Sequence, residues 1–193
     1  MSMMPEGSDV VTADQAVRDW LRNMSEVSTT TSADVVPDSA ALTNPPFPPV
    51  LASMEVLKRR KTRGRQVVAC AYEDAGGNPW FWIVRLVEDE AGSWRVCGGG
   101  GGSGDPHFDR PVINYAGCWG RDGLALGGRV TGTGADRAAS ARLSIRDTEL
   151  VDDVGGGVVL FVTSEPTARS RATIELLASD GSALWHEELE LDE

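Results

Sequence analysis

Few residues in this chain have the side chains that nucleophilic, acid–base or metal chemistry requires. There are two histidines, His107 and His186. His107 stands between Asp105 and Asp109. In an extended backbone alternate residues share one side, so two carboxylates and an imidazole could meet a cation there. A structural zinc site needs further nitrogen or sulfur ligands. The stretch is therefore expected as a solvated loop, and no metal or other cofactor is expected. His186 falls on the water-facing side of a C-terminal strand pattern. Neither G-x-S-x-G nor H-E-x-x-H occurs, so a triad or a zincin site has no local signature. Paired carboxylates leave no mark in a sequence, so acid–base catalysis stays open while the reading leans away from an enzyme.

The run Gly98 to Gly104 suggests a phosphate-binding loop. Such a loop needs backbone N–H groups aimed at the anion with a helix behind them, and Gly-Lys-Ser/Thr in the Walker form. Here Asp-Pro-His follows, so a flexible linker is expected. The three cysteines, Cys70, Cys97 and Cys118, are odd in number and have no C-x-x-C spacing. Free thiols are the expectation, with a Cys97–Cys118 bridge as the alternative.

Two clusters remain. Lys58, Arg59, Arg60, Lys61, Arg63 and Arg65 hold six of the eighteen basic residues in a chain of net charge −11. They could form an electrostatic patch for a partner, or match acidic residues of the same chain. Trp80, Phe81 and Trp82 place aromatic side chains on both faces of one strand. Either both faces are covered, or one is an interaction surface.

The elements that position these residues are mostly strands. One helix is clear. Thr12 is its N-cap, Gln15 completes a capping box, and Asp14 sits where the helix dipole favours an anion. Val17, Trp20, Leu21, Met24 and Val27 form an apolar stripe at helical period. A helix of this length is not stable alone, so the stripe must cover something, most naturally a sheet. Asn44 to Pro49, with four prolines in six positions, is an extended connector. A β-meander follows: Met54 to Arg60, Gln66 to Tyr72, Trp80 to Val87 and Trp94 to Cys97, separated by turn sequences. Beyond the glycine run the chain again reads as strands. Ala141, Leu143 and Ile145 alternate with polar residues. Val158 to Val162 is apolar on both faces and reads as a central strand. Ala172 to Ala178 and Trp185 to Leu191 flank the hairpin turn Ser179-Asp180-Gly181-Ser182.

The fold expectation is mainly β: a helix on an antiparallel meander over residues 1–97, a glycine-rich linker over 98–111, and an antiparallel sandwich over 112–193. The last region resembles an immunoglobulin-like module in strand pattern. The first is similar in rhythm to the cystatin-like folds of the nuclear-transport-factor type, although those supply several helices before the sheet. That likeness implies a pocket under the helix, lined by Trp20, Met24, Val68, Tyr72, Trp82 and Val84. The first function expectation is a non-enzymatic module for protein–protein interaction or assembly, with a protein partner or a second copy of itself. A small-ligand or enzymatic pocket is the alternative. The acidic charge disfavours nucleic acid. The absence of a long apolar run or a leader pattern in the sequence gives a cytoplasmic, non-membrane expectation.

Overall fold

The structure is a computed structural model; it describes residues 10–28, 47–62, 64–104 and 107–191. Among these residues there are one α-helix, α1 (Ala13–Ser28), and eleven strands. These are β1 (Glu55–Thr62), β2 (Arg65–Glu73), β3 (Pro79–Glu88), β4 (Trp94–Ser103), β5 (Val112–Gly120), β6 (Gly123–Thr131), β7 (Ala138–Ile145), β8 (Thr148–Asp153), β9 (Val158–Thr163), β10 (Ser170–Ala178) and β11 (Ala183–Leu191). All described strand pairs are antiparallel. They form a first sheet β1-β2-β3-β4, a middle sheet β5-β6-β9 and an outer sheet β11-β10-β7-β8. The fold class is therefore as the sequence predicts, a helix on a meander followed by a two-sheet sandwich.

α1 starts where its cap residues indicate. The Gln15 N–H donates to Thr12 Oγ1 at 3.2 Å. The other half of the capping box does not form, because the Gln15 side chain donates to Asp19 instead. The stripe covers the first sheet: Val17 and Leu21 are fully buried among Val68, Tyr72, Trp82 and Val84. Burial of each such aliphatic side chain is worth about 1.5–3 kcal/mol, which offsets the weak intrinsic stability of an isolated helix. The opposite face of the first sheet packs on the middle sheet through Val67, Ala69, Phe81, Ile83, Ala125, Val158 and Leu160. The middle sheet then packs on the outer one through Leu124, Leu126, Val159, Phe161, Leu143 and Ile174. The layers run helix, sheet, sheet, sheet.

Two expectations need correction. Residues 98–103 are not a linker: Gly98 to Ser103 continue β4, paired with Arg85 back to Trp80. Three of the glycines there, Gly99, Gly100 and Gly101, are required by close approach, while Gly98 and Gly102 have open space. A Cβ on Gly100 would lie 2.1 Å from the Gly117 carbonyl oxygen, and one on Gly101 would lie 2.4 Å from the Trp82 indole. The composition that looks like a break is what lets β4 cross β5 and lie under a tryptophan. Second, β9 is an edge of the middle sheet. It is apolar on both faces because layers cover it on both sides, with Val158 and Leu160 toward the first sheet and Val159 and Phe161 toward the outer one.

Candidate functional site

The aromatic strand is not a surface. Trp80, Phe81 and Trp82 are only 2%, 9% and 4% exposed. Period-2 geometry sends the two indoles under α1 and Phe81 into the layer between the first and middle sheets. The six residues expected to line a pocket do converge, but as core. Trp20 meets Trp82 edge to face at 5.2 Å, and Val68 and Val84 have no exposure. Two polar atoms are stranded in this layer. The Tyr72 hydroxyl and the Trp82 indole N–H have no partner in hydrogen-bonding geometry among the described residues. Burial pushes the Tyr72 phenol far above its ordinary range, with the nearby Trp82 side chain offsetting part of the shift. Burial also pushes the Cys70 thiol up to about 12, so it is held protonated. All three cysteines are free thiols.

The basic run makes contacts within the same chain, although only Lys58 is half-buried and Arg59, Arg60, Lys61 and Arg65 are exposed. A bulge between Val56 and Lys58 sets its phase. Lys58 and Arg60 then face the outer layers, where both pair with Asp152 of β8. Lys58 Nζ reaches Asp152 Oδ2 at 2.8 Å, the Asp153 carbonyl at 2.6 Å and the Val158 carbonyl at 3.2 Å. Its three protons therefore have three acceptors. Arg59 pairs with Asp14 of α1 at 2.8 Å, and Lys61 lies 5.2 Å from the Trp94 ring centroid. Arg65 donates to the Asp122 carbonyl at 3.4 Å. Arg63 lies outside the described residues. Five members of the expected patch thus serve as ties within the molecule.

The ligand trio suggested by the sequence lies only partly within the described residues. Asp105 lies outside the described residues, and His107 and Asp109 are exposed. Among the described residues no group of three or more histidine, cysteine or acidic side chains could hold a metal ion. His186 is exposed on β11.

A different place has the shape of a site. An open cavity of about 730 Å³ lies between β5 and β11, lined by Phe108, Asp109, Arg110, Val112, Ile113, Asn114, Tyr115, Trp185 and Glu187. β5 is an edge of the middle sheet and β11 an edge of the outer sheet. The phase of the β5 edge follows from one hydrogen bond. The Val130 N–H donates to the Gly157 carbonyl at 2.8 Å, so Val130 turns its backbone toward β9. Its neighbour Arg129 must then turn toward β5, where it opposes Asn114. The residues flanking Asn114, Ile113 and Tyr115, consequently present their N–H and C=O groups to the free edge. Both line the cavity. The Tyr115 hydroxyl donates to Glu187 Oε1 at 2.8 Å and ties the two sheet edges together. Burial, and then this bond to the carboxylate, push the Tyr115 phenol up to about 12, so it remains a donor.

The sequence gives little warning of this groove. Its residues come from the segment before β5, from β5 itself and from β11, some seventy positions later, as the Tyr115–Glu187 pair shows. Trp185 and Glu187 read in the sequence only as an alternating strand. No protein-family model matches the chain, and no curated protein matches it in sequence. No described helix is long and apolar enough to cross a membrane.

Proposed function

We propose that the protein is a non-enzymatic interaction module that takes up an extended segment of a partner protein along β5. The observation that carries this is the β5 edge at Ile113 and Tyr115, unpaired by any described strand and set in the β5–β11 groove. Unpaired strand edges are templates for another chain, and adjacent pockets then read alternate side chains of that chain. Phe108, Tyr115 and Trp185 line the groove with aromatic side chains, two of which also carry a polar group. The partner segment is basic and apolar in alternation. The groove is lined by Asp109 and Glu187 against one cation, Arg110, and the whole chain carries −11, which steers a cationic partner inward.

The test is selection from a random nonapeptide library displayed with free C-termini, followed by titration. Enriched sequences should alternate apolar residues with lysine or arginine, and their affinity should fall with added salt. Glu187→Lys should weaken binding about tenfold, the effect of roughly 1.4 kcal/mol. An unenriched library, or binding indifferent to Glu187→Lys and to salt, overturns the reading.

A further inference from the structure

Beside the groove, on the β4 side of β5, a smaller cavity of about 100 Å³ is lined by Phe81, Gly101, Ser103, Asn114, Tyr115 and Arg129, among others. Asn114 and Tyr115 line both cavities, so the two are neighbours along β5. Arg129 is half-buried, and its guanidinium carbon lies 5.9 Å from the centroid of the Phe81 ring. Stacking of this kind fixes the guanidinium plane and leaves its N–H edge free to donate. Unlike Arg142, which holds Glu175, Arg129 faces no carboxylate among the described residues.

The glycine-rich end of β4 supplies further donors. The Gly104 N–H donates to the Pro79 carbonyl at 3.0 Å, which makes that pair a hydrogen-bonded one in the ladder. Alternation then directs the backbone of Gly102 toward Phe81 and turns the N–H groups of Gly101 and Ser103 to the free edge of β4. That edge borders the same cavity. One fixed guanidinium and two outward amides therefore converge on a small space, in a region where side chains are small enough to leave it open.

We infer that this cavity binds a carboxylate, the C-terminal carboxylate of the partner segment laid along β5, held by the Arg129 guanidinium and the Gly101 and Ser103 amides. The inference rests on the β5-edge reading of function. A planar carboxylate matches the guanidinium fork and carries one negative charge against one positive. A phosphate dianion would leave an uncompensated charge inside a chain already at −11. Capture of a chain terminus by backbone amides is an established mode of peptide recognition and fits a strand-addition groove that ends beside a glycine-rich edge.

The experiment uses one library-selected peptide made as the free acid and as the C-terminal amide, titrated into the full chain. The acid should bind at least tenfold more tightly. Arg129→Gln should reduce the acid to about the level of the amide, with an unchanged circular dichroism spectrum and thermal melt reporting that the variant is folded. Sodium acetate at high concentration should shift the Gly101 and Ser103 amide resonances and compete with the acid peptide. Equal binding of acid and amide overturns the carboxylate inference and leaves the β5 reading standing. Binding of neither overturns both. Amide shifts with inorganic phosphate but not with acetate assign the cavity to a phosphate and also overturn the inference.

Discussion

Replacing Asp152 with alanine should be the most destabilising single change at the junction between the meander and the sandwich. Its side chain is 1% exposed and that of Lys58 is 15% exposed, so the pair is shielded from solvent. Asp152 Oδ2 also accepts the Leu160 N–H of β9 at 2.6 Å. Its loss leaves the Lys58 ammonium with two carbonyls and only the exposed Asp153 carboxylate at 3.6 Å, and a buried backbone N–H without an acceptor. Breaking a buried pair from one side costs about 3–5 kcal/mol. An orphaned buried N–H costs about 1–3 kcal/mol. The two overlap, since both arise from one cavity, and Arg60, 44% exposed, can turn to water. A total of about 4 kcal/mol is expected, a large share of the roughly 5–15 kcal/mol of an ordinary domain. Urea unfolding with linear extrapolation measures it. The Lys58→Met background separates the ion pair from the packing. There, Asp152→Ala should cost at least about 2 kcal/mol less than in the wild type, since contacting residues couple by about 0.5–3 kcal/mol. A loss below about 1 kcal/mol, or one equal in both backgrounds, would refute the account of Asp152 as the charged tie.

Three further outcomes follow from the packing. Gly100→Ala should destabilise by more than about 2 kcal/mol, because its Cβ would fall 2.1 Å from the Gly117 oxygen; Gly98→Ala, with open space and no positive φ, should be neutral or stabilising by about 0.4–1 kcal/mol. Denaturant midpoints of the two variants test this, and equal behaviour would argue against a tight β4–β5 crossing. Tyr72→Phe removes a buried hydroxyl that has no hydrogen-bond partner among the described residues, so thermal unfolding should show it as stable as the wild type or more stable by about 1 kcal/mol; a loss of 2 kcal/mol would mean the hydroxyl is bonded. Asp74 gives an acid dependence. Burial alone would raise its pKa, but bonds from the Asn78 side chain and N–H, the Trp80 indole and the Gly76 N–H bring it below its ordinary 3.8. A carboxyl depressed in the folded state contributes stability that is present above the unfolded pKa and lost as pH falls through the folded one. Stability should therefore decline below pH 3.8, and Asp74→Asn should flatten that decline in a pH series of denaturant melts.

Much of the fold is legible in the sequence because its strands alternate by face and its turns carry glycine, asparagine and aspartate. The phase of β3 sends Trp80 and Trp82 one way and Phe81 the other, as period 2 requires. What the pattern does not contain is how many layers cover each face. Trp80 to Trp82 look like surplus hydrophobicity until a third sheet is stacked on the first. The glycine run misleads for a related reason. Glycine weakens a strand by roughly 0.5–1 kcal/mol per residue in isolation, and only the neighbouring Gly117 backbone and Trp82 ring explain its use. The basic run is similar, since its acceptors Asp152 and Asp14 lie far away in sequence on either side. The groove is the least legible part. It is made by the meeting of two sheet edges, and Tyr115 and Glu187 become neighbours only through sheet order.

The function proposed for the chain depends on β5 accepting another strand. Amide hydrogen exchange, followed residue by residue with and without a library-selected peptide, addresses that directly. Strand addition must bond the outward amides of Ile113 and Tyr115, so both should become strongly protected on binding. The neighbouring Asn114 amide, already directed at β6, should change little. Unchanged exchange at Ile113 and Tyr115 in the saturated complex, or new protection confined to a different strand, would contradict the proposal.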